Sequence, residues 1–432
     1  MVQQTATAEQ GLLKNRPYLA LMASQLVSNL GDWLHVLALL TMVGLKWNAT
    51  PWQITTAMLC MLLPMLFGGP VAGMLADRME RKKLMILSDI ARIFIVLGLV
   101  FVTQIWHVYV LLIAKSIFDV LFSPAKNGKI KEVVPHEHLE KAVSYSAMIE
   151  QGTKIVGPAI GGMLAVAFGV TSCFIIDAAS FLVSAVILFG VPGKRAIGAE
   201  SAEGEKESGA AKSGFWAEIA AGMKIIAGIP MIAFGLLTLA MALLVLQLAD
   251  SQTVVLFREI PGIPENLLGW CITLSGVGSL AAAGISQLLR GLSPLVKMGA
   301  GGTMLGVVFV AAGFFAQHGP FNGLGYSLML IIFFVAGLGA GLTFIPFQVA
   351  LQQRTPEALT GRVFGTVTSV TSAAAFIGPV LGGYLVTVFG PQFAFVLSGG
   401  LMALIGVLLL MFKPMILKRD KAATAVQPVA SA

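Results

Sequence analysis

Long apolar runs alternate with short polar ones along this chain. Twelve apolar runs are counted, at 18–45, 52–75, 83–104, 106–126, 140–168, 171–192, 230–257, 265–289, 295–317, 321–349, 360–389 and 391–412. An α-helix needs about 20 residues of this kind to cross a bilayer. Barrel strands would alternate apolar and polar residues over about ten positions, and these runs do not. The pattern predicts an all-α membrane protein with twelve transmembrane helices. The first run lacks the small-residue cleavage pattern of a signal peptide and reads as a retained span.

Composition agrees with that class. The chain has 432 residues, 57% of them hydrophobic and only 11% charged, against roughly 25% charged in soluble domains. Disorder as the overall state is excluded, since it requires low hydrophobicity and high charge. The three cysteines, Cys60, Cys173 and Cys271, lie inside apolar runs and form no disulfide framework or zinc motif. No phosphate loop, zinc-protease helix, nucleophile elbow or dinucleotide fingerprint is present. The chain therefore reads as a non-enzyme with no metal and no cofactor.

The net charge of +7 does not point to nucleic acid, because its placement follows the spans. With the N-terminus in the cytoplasm, 23 of the 28 lysines and arginines fall in cytoplasmic segments. Lys46 and Arg258 fall outside, and Arg92, Lys115 and Lys154 lie within spans. This asymmetry predicts a bacterial inner (plasma) membrane protein with both termini cytoplasmic.

An internal repeat divides the chain. At an offset of 221 residues, Pro135 meets Pro356 and Lys141 meets Arg362. In the same register Gly157-Pro158-Ala159-Ile160-Gly161-Gly162 meets Gly378-Pro379-Val380-Leu381-Gly382-Gly383, and Phe168-Gly169 meets Phe389-Gly390. Two six-helix halves follow, at 1–192 and 230–414, separated by a central cytoplasmic linker at 193–229 and followed by a tail at 415–432. The linker begins Gly-, Ala-, Ser-, Glu- and Lys-rich, as flexible connectors do. It then places Trp216, Ile219, Met223 and Ile226 at helical spacing, either as an amphipathic surface helix or as the start of span seven. The tail after Met415 is basic, then low in complexity, and is expected to be disordered.

Three motifs carry a family resemblance. The turn Gly73-Met74-Leu75-Ala76-Asp77-Arg78-Met79-Glu80-Arg81-Lys82-Lys83 offers a glycine for close helix approach and an aspartate placed to cap the next helix. It resembles the G-x-x-x-D-R-x-G-R-K loop of the major facilitator superfamily, with Glu80 where the family has glycine. Span four, Leu111 to Asp119, is similar to the family's L-x-x-x-R-x-x-x-G element, with Lys115 at the arginine and Asp119 at the glycine. In span five, Gly157, Pro158, Gly161 and Gly162 are small or helix-loosening residues that permit close packing. They resemble the family's antiporter motif, and Gly378, Pro379, Gly382 and Gly383 are their copy.

The resemblance implies the major facilitator fold, two pseudo-symmetric six-helix bundles. It implies a gating loop at Gly73, Asp77, Arg78 and Arg81, a link of Lys115 to proton coupling, and an export role for the span-five motif, for which packing is the other reading. Phe122-Ser123-Pro124-Ala125-Lys126, Val134-Pro135 and Asp32-Trp33-Leu34 look like the macrolide-efflux branch of the drug:proton antiporters. Ser123 to Lys126 is also similar to bacterial lysophospholipid transporters.

Charges inside spans are costly and ask for a partner, a cavity or a proton. Lys115 with Asp119, Glu150 with Lys154, and Asp89 with Arg92 are three or four residues apart and can pair locally. The last pair lies nearest the cytoplasm and is also open to joining the cluster around Asp77 and Arg81. Asp32, Asp177 and Asp250 have no basic residue at that spacing. Asp32 shares a helical face with Asn29 and His35, so it is the leading proton-coupling candidate and Glu150 the second, with Lys115, Asp119 and His35 as the further candidates. Asp177 and Asp250 lie nearer span ends, where hydration is expected to suffice.

The sequence thus leads to a proton-coupled exporter of amphipathic small molecules, such as drugs or metabolites, working by alternating access. Its expected partners are the substrate, protons and the lipid bilayer, with no nucleic acid, and the chain is expected to act as a monomer. A lysophospholipid flippase and a non-transporting receptor on the same fold are the other two readings.

Overall fold

The computed structural model describes residues 12, 14–193, 223–224, 226–227, 230–260, 264, 267–289, 291–319, 323–354 and 360–426. Helix dominates these residues, and no strand occurs among them. The linker segment 194–222, with most of the proposed amphipathic stretch, lies outside them. Thirteen helices are named here. They are α1 (Arg16–Leu40), α2 (Pro51–Phe67), α3 (Gly69–Arg78), α4 (Arg81–Val100), α5 (Ile105–Val133) and α6 (Leu139–Phe189). Then follow α7 (Pro230–Asp250), α8 (Thr253–Arg258), α9 (Leu267–Leu288), α10 (Pro294–His318), α11 (Gly323–Arg354), α12 (Thr360–Phe389) and α13 (Pro391–Val426). Asn15 caps α1, its side chain accepting from the Tyr18 amide at 3.1 Å, which satisfies a donor that a helix start leaves open.

Nine helical stretches among the described residues are long and apolar enough to cross a membrane. The difference from the twelve expected runs has three local causes. The run 52–75 is split at Gly68 into α2 and α3, where the Gly68 amide reaches back to the Pro64 carbonyl at 2.7 Å. The run 83–104 lies in α4, which opens with Arg81, Lys82 and Lys83 and carries Asp89 and Arg92. The runs 140–168 and 171–192 form α6, a 51-residue helix interrupted at one residue, Gly169.

Gly169 has φ 79°, and its repeat partner Gly390 has φ 83°. Side chains disfavour that left-handed region, so glycine makes both turns. The repeat read from the sequence is therefore also a repeat of backbone conformation.

By contacts the chain divides into one unit of Met1–Ala49 with Thr56–Lys206 and another of Thr50–Thr55 with Glu207–Ala432. Each unit pairs its helices in the same way. In the first, α1 packs on both arms of α6, α4 packs on α5 and α6, and α3 packs on α5. In the second, α7 packs on α12 and α13, α10 on α11 and α13, and α9 on α11.

Among lipids, small residues that let backbones approach take over much of the role of apolar burial. A Cβ at Gly157 would lie 2.2 Å from Trp33 Cδ1 of α1, and one at Gly161 would lie 2.6 Å from Leu37 Cδ1. Their copies do the same in the second unit: a Cβ at Gly378 would lie 2.7 Å from Gln247 Cβ of α7, and one at Gly382 would lie 2.5 Å from the Leu248 carbonyl. Pro158 and Pro379 lie inside their helices, and Gly162 and Gly383 are buried.

Two expectations need correction. The tail is not disordered from Met415: α13 continues to Val426. Lysine, arginine and alanine in this stretch are strong helix formers, and the nearly buried Asp420 carboxylate accepts from the Met231 amide at the start of α7. Gly73 does not mark a close helix approach, since a Cβ there would meet nothing within 4 Å.

The contrast between glycines is measurable. At Gly31 a Cβ would lie 2.1 Å from Ser180 Oγ and 2.5 Å from Asp177 Oδ1. Gly31→Ala should therefore lose about 1–3 kcal/mol through overpacking, seen as a lower thermal midpoint in detergent. Gly73→Ala should leave the midpoint unchanged or raise it, by up to about 0.5–1 kcal/mol of helix preference.

Candidate functional site

Four helices of the first unit bring their intramembrane charges together. Asp32 and His35 come from α1, Asp89 and Arg92 from α4, Lys115 and Asp119 from α5, and Asp177 with Ser184 from α6. Helical spacing sets each contribution: residues three or four apart share a face.

Five of these side chains form a line of alternating charge. Lys115 Nζ donates to Asp32 Oδ1 at 2.7 Å and to Asp119 Oδ2 at 3.0 Å. Arg92 Nη1 donates to the other Asp119 oxygen at 3.2 Å, while Nη2 is hydrogen-bonded to Asp89 Oδ1. Ser184 Oγ donates to Asp89 Oδ2 at 2.7 Å and closes that end. The order is Asp89, Arg92, Asp119, Lys115, Asp32, so the line both begins and ends on a carboxylate. Its Asp89 end is sealed, at 0% side-chain exposure, and its Asp32 end is open, at 35%.

Aromatic faces support the cations. The Arg92 guanidinium lies 4.6 Å from the Phe122 ring centre and 4.4 Å from that of Phe181, and Lys115 Nζ lies 5.6 Å from Phe181. Such contacts stabilise a desolvated cation by about 2 kcal/mol, without adding a carboxylate to balance it.

Beside this line lies a second group. His35 Nδ1 and Asp177 Oδ2 are 3.5 Å apart, and both side chains are wholly buried. Neither ring nitrogen and neither carboxylate oxygen has a hydrogen-bond partner. The edge of Phe174 faces the imidazole, with ring centres 5.6 Å apart.

The structure rearranges several sequence expectations. Asp32 is not unpaired; Lys115, 83 residues away in the chain, supplies its cation. His35 lies against Asp177, and Asn29 donates to Thr153 at 3.4 Å on α6. Asp89 and Arg92 belong to the line of charge and not to the loop cluster, because they lie two and three helical turns inside α4. Asp177 is not hydrated, because it faces the interior at Gly31. Asp250 does lie exposed at the end of α7. Glu150 pairs with Lys154 at 3.1 Å as expected, but both are about half exposed and the pair is no part of the line.

At the loop, Arg81 donates to the Gly128 carbonyl and to Glu132 Oε1, both at 3.0 Å, tying α4 to α5. Lys82 reaches the Phe189 carbonyl at 2.8 Å. Asp77 lies in α3, and the N-cap position of α4 is held by Glu80. Glu80 pairs with Lys83 at 2.9 Å, and that hydrogen bond holds its carboxyl below the ordinary value. Arg78 ends α3 and is exposed.

Sequence reasoning missed Asp177, Phe181 and Ser184 as members of one site. Their spacing of four and then three residues puts them on one face of α6, and a polar and aromatic stripe on an otherwise apolar span was the available signal.

Comparisons with known proteins agree with this architecture. A family model described as Major Facilitator Superfamily matches residues 21–372 and 253–430. The chain is 41% identical over 406 residues to the uncharacterized MFS-type transporter YfiS of Bacillus subtilis, covering 94% of this chain and 95% of that one. It is 26% identical to macrolide efflux protein A of Streptococcus pyogenes, covering 82% and 85%. Its fold is similar to the crystal structure of a point mutant of the nucleoside transporter NupG, with a TM-score of 0.67 at 13% identity over 92% and 99% of the two chains.

The sealed end of the line gives a stability test. Arg92→Met leaves Asp89 buried without a cation and should cost about 3–5 kcal/mol. Arg92→Met with Asp89→Asn should recover most of that loss, read as thermal midpoints of the purified proteins in detergent.

Proposed function

The chain belongs to the Major Facilitator Superfamily, and we propose from that premise that it is a secondary active exporter. In this reading it couples the outward passage of an amphipathic small molecule to the inward passage of protons. It is a multi-pass membrane transporter by family, and efflux proteins are among its relatives.

One observation supports the coupling above all: the line of charge holds three carboxylates against two cations. With Asp32 ionised, the line carries one uncompensated negative charge. With Asp32 protonated, Asp89, Arg92, Asp119 and Lys115 balance. The odd carboxylate is also the most exposed of the five, so the proton that restores neutrality has a route to it.

The second unit serves as an internal control. It repeats the helix pairing of the first, yet its only buried charged residue among those described is Asp420, near a helix end. The fold therefore does not need an intramembrane ion network. Networks of this kind are weak contributors to stability, and inside membranes they mark ion and substrate pathways.

The proposed cycle follows. A proton on Asp32 loosens its bond to Lys115, which stays held by Asp119. The protonated and ionised forms favour different conformations, and substrate favours one of them. Coupling requires that difference, because a ligand shifts an equilibrium only by its differential affinity. Glu150 is left out of this path because its half-exposed pair with Lys154 is already balanced. We further propose the bacterial plasma membrane as its site, with both termini cytoplasmic and a single chain as the working unit.

Two measurements test this. In inverted vesicles, Asp32→Asn should abolish pH-gradient-driven uptake of a labelled macrolide while expression stays normal; uptake equal to wild type overturns the coupling. Uptake by the unaltered protein that survives a protonophore points instead to lipid movement or another driving force. For orientation, Lys83→Cys in a background without Cys60, Cys173 and Cys271 should react with an impermeant maleimide only in inverted vesicles. Labelling from outside intact cells overturns the proposed topology.

A further inference from the structure

The line of charge accounts for one excess carboxylate, and the first unit contains a second, Asp177. Balancing Asp32, Asp89, Asp119 and Asp177 against Arg92 and Lys115 leaves two negative charges. One proton at Asp32 removes one of them. The other is on a side chain of 0% exposure, pressed against the α1 backbone at Gly31, with no hydrogen-bond donor on either oxygen. The Ser180 hydroxyl, beside it at Gly31, donates instead to the Asp177 main-chain carbonyl at 2.7 Å. An ionised carboxylate left so is strongly disfavoured. Among the described residues, the titratable group in ion-pair range of it is His35, at 3.5 Å and equally buried. A single added proton neutralises the pair wherever it sits, as imidazolium with carboxylate or as imidazole with carboxylic acid.

We propose that His35 and Asp177 form a second proton-binding site between α1 and α6, loaded and released together with Asp32, so that the transport cycle moves two protons. The charged groups facing the pair are Asp32 on α1, Arg92 on α4, and Lys115 and Asp119 on α5. Asp89 on α4 is paired with Arg92 at the far end of the line. All belong to the line of charge, so a proton gained at one site changes the field at the other. Asp32 and His35 are three residues apart on one helical face, so one movement of α1 displaces both. The role in a cycle rests on the coupling proposed above; the existence of the site does not.

The experiment uses the purified full chain in detergent, without substrate. Infrared difference spectra are taken in H2O and D2O between about pH 8 and pH 5, the window in which histidine ordinarily changes charge. Two exchange-sensitive components are expected: the carboxylic acid of Asp32, and the protonated His35–Asp177 pair, read either as a second carboxylic acid or as imidazolium bands with a carboxylate. Asp177→Asn should remove one and shift the titration midpoint of the other. Asp32→Asn should remove the other and shift the midpoint of the first. His35→Gln, which keeps the carboxyl, should displace the Asp177 component and leave the Asp32 component in place. It also carries the test if Asp177→Asn does not fold.

The proposal is overturned if Asp177→Asn removes no component, if His35→Gln leaves the whole spectrum unchanged, or if the two midpoints respond independently. Loss of no component in Asp32→Asn, with the Asp177 component intact, removes the coupling role of Asp32 and leaves the second site standing.

Discussion

The first unit is organised around a shortage of positive charge. Arg92 and Lys115 are the cations of the charge line at its centre, apart from the buried Lys126 and Lys129 further along α5, and each is held by two carboxylates, with Asp119 shared between them. Isolated charges at this depth are costly, so four helices converge to supply partners. Phe122 and Phe181 line the cations where carboxylates do not. Gly31 exists as glycine because Ser180 and Asp177 occupy the space a side chain would take. The packing of α1 on α6 is therefore inseparable from the placement of the acids.

The duplicated architecture shows which parts of that arrangement are structural. The Gly-Pro-x-x-Gly-Gly stretches on α6 and α12 press against α1 and α7 in matching positions, and glycines with positive φ make the two corresponding turns. These features recur in both units and belong to the scaffold. Among the described residues, a network of buried charges occurs in only one. Serine, threonine and glutamine supply most of the buried polar groups of the second unit, and several simply bond a carbonyl of the preceding turn, as Thr238, Thr273 and Thr343 do. A span-five motif that is duplicated, and that packs alike in both copies, reads as a helix-packing device.

The class, the repeat and the helix pairs within one span were legible in the sequence because each depends on local pattern. Continuous apolar runs gave the helices, and an offset of 221 residues gave the two halves. Pairs such as Lys115 with Asp119 follow from helical spacing. Contacts between helices were not legible in the same way. Asp32 and Lys115 are far apart in the chain, and nothing in the sequence near either names the other. Local rules therefore grouped Asp32 with His35, and read Asp89 and Arg92 as a local pair that was also open to joining the nearby basic loop. The helix break at Gly68 and the helical tail to Val426 were missed because continuous hydrophobicity hides a break and low complexity hides a helix.

An alternating line of charge with an odd number of members has a property that an isolated pair lacks. Protonating one member of an isolated ion pair leaves a buried cation alone. Protonating Asp32 leaves Lys115 bound to Asp119, and Arg92 bound to Asp119 and Asp89. Both charge states therefore keep every cation paired, and the difference between them is confined to the exposed end. On the proposed coupling both states recur in every cycle, and neither leaves a cation without a carboxylate. The sealed end at Asp89 is fixed by Ser184 and by two aromatic faces on Arg92, and it ties α4, α5 and α6 together. A network built in this way has its buried end between α4 and α6 and its exposed end on α1, the helix that also carries His35.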